Sequence, residues 1–136
     1  MAETLTLELP ARAAGLQQAL ARIEGWCAAR GLPRALALRL LIVVEELFTN
    51  SVKYGYGAEC DRPVRLALAA AGAGVELAYE DEAPHFDPTA WQGALPDSAQ
   101  SPVGRTGIAL VLGMAQAARW EPRPGGNRLV LRLAAG

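Results

Sequence analysis

The feature that most restricts the fold is a change of hydrophobic period near residue 60. Upstream of it, Leu40, Leu41, Val44, Leu47, Phe48 and Val52 recur at the spacing that buries one side of a helix. Downstream, VRLALAA (64–70) and VELAYED (75–81) alternate like half-buried strands around the Gly-bearing turn AGAG. A chain that makes this switch has to pack helices against a sheet. The flanks agree. TLTLEL (4–9) alternates and ends at Pro10, and a helix is predicted from Ala11 to Arg30, with Leu16, Leu20, Ile23 and Trp26 at helical spacing and Gly31 as its stop. Pro33 suits the first turn of the next helix, which should run to the glycines at 55 and 57.

Beyond the hairpin, residues 82–104 are broken by Pro84, Pro88, Gly93, Pro96 and Pro102. A structureless loop of that length inside a compact domain is characteristic of a lid or a binding loop. A short apolar helix starting near Thr106 follows, then RWEP and GGNRLVLRL as two strands around Pro124, Gly125 and Gly126. The order strand, helix, helix, strand, strand, loop, helix, strand, strand predicts an α+β, two-layer α/β sandwich. Its sheet should be mixed and mainly antiparallel, with the helices on one face. With 136 residues, 51% of them hydrophobic, a single domain over 1–136 with a proper core is expected.

Charge narrows the function. A net charge of −1 argues against a general nucleic-acid binder. The segment 76–97 is acidic, whereas Arg105, Arg119, Arg123, Arg128 and Arg132 face only Glu121 after position 100. No apolar run reaches the length of a membrane span, and MAETLTLELP lacks the pattern of a signal peptide, so a cytoplasmic location is expected. Cys27 and Cys60 make no metal-ligand cluster, and His85 is the only histidine, which weighs against zinc and most His-dependent hydrolases.

The helix around VVEELFTNSVKYGYG (43–57) carries Glu46, Asn50 and the only lysine, Lys53, within an arc of about 60° on a regular helix. An exposed salt bridge on a solvated face is the ordinary meaning of such a triple. Glu46 and Asn50 are also hard oxygen donors of the kind magnesium takes. Asp81, at a strand exit, is suited to accept a hydrogen bond from an exocyclic amine such as that of adenine. Gly104 and Gly107 flank Arg105 and Thr106 at a helix start, where backbone N–H groups and the helix dipole favour phosphate.

In their order these motifs resemble the GHKL (histidine-kinase-like) nucleotide-binding superfamily, and more closely its anti-sigma factor serine kinase branch. The likeness rests on Glu46 with Asn50, on Asp81 followed by Phe86-Asp87-Pro88, on Gly104 to Ile108, and on Gly126-Asn127 opening the last strand. It implies the Bergerat ATP-binding fold. It further implies a Mg-ATP site in which Asn50 ligates magnesium, Glu46 acts as general base, Asp81 recognises adenine and Lys53 neutralises phosphate. Ala83, Gly104, Arg105, Thr106 and Gly107 would line the nucleotide, under a lid from Ala83 to Val103. Its implied partners are a sigma factor and an antagonist protein phosphorylated on serine or threonine, and it allows a homodimer. The alternative is a nucleotide-binding interaction module without transferase activity.

Three departures from the family pattern bear on this. Ala83 stands where glycine is usual, with the prospect of crowding adenine or straining a positive φ. Gly104-Arg105 replaces a double glycine. The late-strand threonine often found near adenine has no counterpart in Leu129, Val130 or Leu131. Among the remaining residues, Trp26 is expected in the core, His85 in a loop, the late arginines on strand faces, and Trp91 within the lid.

Overall fold

The structure, a computed structural model, describes residues 4–90 and 106–134. Strand β1 (Thr4–Pro10) leads into α1 (Ala13–Ala29) and α2 (Arg34–Asn50). A π-helical segment, Ser51–Tyr56, continues α2 and stops at Gly57, whose φ of 87° lies in the left-handed region. The hairpin β2 (Pro63–Ala71) and β3 (Gly74–Asp81) follows, and then α3 (Thr106–Met114), β4 (Ala117–Arg123) and β5 (Gly126–Leu133).

The five strands form one sheet in the order β1-β2-β3-β5-β4. Every neighbouring pair is antiparallel, so the expected mixed sheet is antiparallel throughout. β5 enters between β3 and β4, which leaves Pro122 on an edge strand, where a missing N–H costs no internal ladder bond.

Register explains the core. Leu7, Leu66, Tyr79, Leu129 and Trp120 stand opposite one another across the sheet, as do Leu5, Leu68, Leu77 and Leu131 one pleat away. Onto this face pack Ile23 of α1 and Leu36, Leu40, Val43, Val44 and Phe48 of α2, each no more than 1% exposed. The predicted apolar stripe of α2 is therefore the central seam, and Trp26 lies in the core as expected.

The opposite face carries a charge ladder. Glu8, Arg65, Glu80, Arg128 and Glu121 are in register across all five strands. Arg65 meets Glu8 at 2.8 Å, and Arg128 meets Glu121 at 2.9 Å and Glu80 at 3.6 Å. Exposed pairs of this kind contribute little stability each, about 0–1 kcal/mol, but opposite charges facing each other disfavour a slipped register. Arg119 joins the ladder by donating to Glu121, and that hydrogen bond, followed by the one from Arg128, holds the Glu121 carboxyl below its usual range.

Candidate functional site

A cleft opens where α2 passes into its π-helical turn, bounded by the end of β3, the turn that follows it, α3 and the β4–β5 edge. Asp81 forms its polar floor. Strand alternation places Asp81 on the same face as Leu77 and Tyr79, and register sets it between Val64 and Asn127 in the last row of the sheet. The pattern that buries leucines one row earlier thus turns a carboxylate toward the helices at the open end.

Both oxygens of Asp81 accept hydrogen bonds from the protein. Ser51 Oγ donates to Oδ2 at 2.7 Å, while Asn127 Nδ2 and the Ala83 backbone N–H donate to Oδ1 at 2.9 and 3.2 Å. Ser51 Oγ also lies 2.8 Å from the Tyr79 hydroxyl. Since the one serine hydrogen is used on Asp81, the Tyr79 hydroxyl must donate to Ser51, which makes a one-way chain from Tyr79 through Ser51 to Asp81. Burial raises the Tyr79 pKa well above the ordinary value, and the negative charge of Asp81 reinforces the rise.

This shift sets an alkaline limit on stability. The folded phenol stays protonated at pH values where the unfolded one ionises, so its stabilisation is complete below about pH 10 and is lost as pH rises from there toward the folded pKa. Tyr56, whose pKa burial also raises, acts in the same direction. Urea midpoints measured from pH 7 to 11 are expected to fall at the alkaline end, and Tyr79→Phe should fall less steeply there than the wild type.

Asn127 is the second hub. Its Oδ1 accepts from the Phe86 N–H at 2.9 Å and from Trp120 Nε1 at 3.0 Å, while Nδ2 reaches the Ala83 and Pro84 carbonyls at 3.2 and 3.1 Å besides Asp81. His85 donates Nε2–H to the Arg123 carbonyl at 2.8 Å and meets Trp120 edge-on, tying the same turn to β4.

The sequence motifs include Asn127 without a role and do not single out Ser51 or Tyr79. Period-2 counting back from Asp81 finds Tyr79. Helical spacing from Leu40, Val44 and Leu47 carries Ser51 onto the buried stripe, but only the fold shows that its hydroxyl meets Asp81.

Ala83 is accommodated. No residue other than glycine has positive φ among the described residues, and Ala83 is buried with its methyl against Gly55, where an added Cβ would stand 2.7 Å from that of Ala83. Within the protein, the close neighbour of the Ala83 methyl is Gly55. Gly55→Ala is expected to destabilise by about 1–3 kcal/mol as an overpacked contact, and Ala83→Gly in the same chain should recover most of that loss. A double-mutant cycle by chemical denaturation measures the coupling.

Asn50 lines the cleft, and its Oδ1 is buried without a hydrogen-bond partner among the described residues. Glu46, one turn earlier, places its carboxylate against the first turn of α3, where a Cβ on Gly107 would collide with it. Lys53 departs from the shared face. It is exposed and borders a separate depression with Leu16, Phe48, Val52 and Glu59, because the widened turn from Ser51 rotates the side chains that follow Asn50. Thr106 begins α3, whereas Gly104, Arg105, Trp91 and most of the foreseen lid lie outside the described residues.

The model of the histidine kinase-like ATPase domain matches residues 9–133, nearly the whole chain. The chain belongs to the histidine kinase-like ATPase family. Nucleotide binding comes with that family, and the sandwich described above is its fold. Among solved structures, the RsbU and RsbW domains of Rv1364c from Mycobacterium tuberculosis match with a TM-score of 0.69 at 19% identity, over 98% of this chain and 32% of that one. The SiaB-SiaC complex from Pseudomonas aeruginosa matches with a TM-score of 0.62 at 14% identity, over 95% and 88%. This chain thus spans about a third of the first of these. At such identities the likeness is one of fold. No curated protein sequence matches the chain. Among the described residues, no helix is long and apolar enough to cross a membrane.

Proposed function

We propose that this ATPase domain is a protein kinase that transfers phosphate from Mg-ATP to a serine or threonine of an antagonist protein and competes with that antagonist for a sigma factor. The observation that carries this reading is the buried Oδ1 of Asn50, without a hydrogen-bond partner among the described residues, one helical turn from Glu46 and lining the same cleft as Asp81. A buried acceptor left without a donor costs about 1–3 kcal/mol unless a ligand satisfies it. A hard cation does so.

Asn50 Oδ1 and the Glu46 carboxylate fit magnesium in kind. Because no cluster of three or more acidic, histidine or cysteine side chains exists among the described residues, phosphate and water would supply the rest of its ligands. Bound magnesium would neutralise triphosphate charge. Asp81 then holds the base, and Glu46 takes the proton of the attacking hydroxyl, with positioning supplying most of the rate. Gly107 keeps the space that the Glu46 carboxylate occupies. Lys53, outside the cleft, is left to neutralise a phosphate at its rim or an acidic group on the partner.

The partner roles rest on the order of sequence motifs that resembles the anti-sigma kinases, with support from a fold shared with an RsbW domain and with the SiaB-SiaC complex. A cytoplasmic location and a homodimeric state suit this role. The test is calorimetric titration with ATP and magnesium, beside Asp81→Asn and Asn50→Ala, followed by transfer from radiolabelled ATP to purified candidate antagonists. Saturable binding abolished by both substitutions, and transfer lost in Glu46→Gln, are expected. Binding with no transfer to any candidate would favour the interaction-module reading, and no binding by the wild type would end both.

A further inference from the structure

Asp81 sits in the cleft with three protein donors already on it. An ionised carboxylate offers about four acceptor positions, so Ser51, Asn127 and the Ala83 N–H leave one. With Oδ1 filled by two donors, that position belongs to Oδ2, the oxygen on the Gly55 side of the cleft. Asn127 itself has nothing left to offer a ligand, since both of its amide hydrogens and both acceptor sites of its oxygen are engaged by Asp81, Ala83, Pro84, Phe86 and Trp120. It can act only through Asp81.

We propose that Asn127 is a positioning residue for base selection, fixing the plane of the Asp81 carboxylate so that one acceptor, and no donor, meets the edge of the bound base. The proposal rests on the nucleotide reading above and adds to it a residue from the neighbouring strand β5. A carboxylate on a single rotatable stem can swing to suit either an amine or, with water inserted, a carbonyl. Asn127 removes that freedom by pinning Oδ1 to a carboxamide that is anchored by β4 through Trp120 and by the 83–86 turn. Ser51 pins Oδ2 from the helix side. A base presenting a 6-amino group is accepted, and one presenting a 6-carbonyl oxygen meets an acceptor that cannot turn away.

ATP and inosine triphosphate differ in the base and share the ribose and triphosphate, so the ratio of their dissociation constants reads the base edge alone. A partly unfolded variant loses apparent affinity for both nucleotides by the same factor, and the ratio is insensitive to that loss. Calorimetry on wild type, Asn127→Ala and Asn127→Thr, each with magnesium, is the experiment. The wild type is expected to prefer ATP at least tenfold. Asn127→Ala should fall to within about threefold, while Asn127→Thr, which keeps one donor beside Asp81, should retain most of the preference. A folded Asn127→Ala, or an Asn127→Leu standing in for it if alanine is not tolerated, that discriminates like wild type would overturn the proposal, and loss of discrimination in Ser51→Ala would then assign selection to the helix side. Failure of the wild type to bind either nucleotide would instead strike the underlying reading.

Discussion

Phe48→Ala is expected to cost the fold about 4 kcal/mol, the range found for removal of a buried aromatic ring. Phe48 is 1% exposed, in the seam where α2 meets the sheet, and its ring packs near Gly15 of α1. An alanine leaves a cavity that two helices and a sheet cannot collapse without breaking their own contacts. For a chain of this length that loss corresponds to a fall in Tm of about 10–15 °C. The consequence for function is instructive, because Phe48 lies on the same helix as Glu46 and Asn50. At low temperature, where the variant remains folded, nucleotide affinity should stay within about threefold of wild type. A larger loss in a fully folded variant would mean that core packing also sets the position of the cleft residues. Thermal melts with and without ATP and magnesium check both parts, since a ligand that binds only the native state raises Tm.

Gly107→Ala is expected to separate activity from stability. The added methyl collides with the Glu46 carboxylate, which is the far end of a flexible side chain, so the cheapest response is for Glu46 to swing away. Stability should change by less than about 1 kcal/mol, because alanine gains in helix propensity what the contact loses. Phosphate transfer should fall to the level of Glu46→Ala, about 10²- to 10⁴-fold if Glu46 is the base. ATP affinity should fall much less. Single-turnover transfer and equilibrium binding, measured on both variants and on their combination, form the test. The double variant should be no worse than either single one, since each removes the same group from the same place. Equal activity of Gly107→Ala and wild type would remove Glu46 from the chemistry or show that the carboxylate acts from another position.

Much of the fold was legible because periodicity is local. Alternation in β1, β2, β3 and β5 and the apolar stripe of α2 are each written in a few neighbouring residues, and burial followed them. The site was legible in part. Asn50 and Asp81 line one cleft, with Glu46 beside it, because α2 crosses the open end of the sheet where β3 stops. Lys53 was drawn onto the same face on the assumption of a regular helix, and the π-helical turn at Ser51 broke that assumption. The positive φ foreseen at Ala83 does not occur, and its Cβ fits against the missing one at Gly55, 28 positions earlier in the chain.

The division follows from the range of the forces involved. Hydrophobic period, proline and glycine punctuation and net charge act over a few residues, and they carried the class of fold, the order of elements and the family. Hydrogen bonds are satisfied wherever the backbone brings a donor to an acceptor, irrespective of sequence distance. Only the folded sheet could set Asn127 opposite Asp81, only the packing of the end of α2 over β3 could bring Ser51 to its other oxygen, and only the packing of α3 on α2 could lay Glu46 against Gly107.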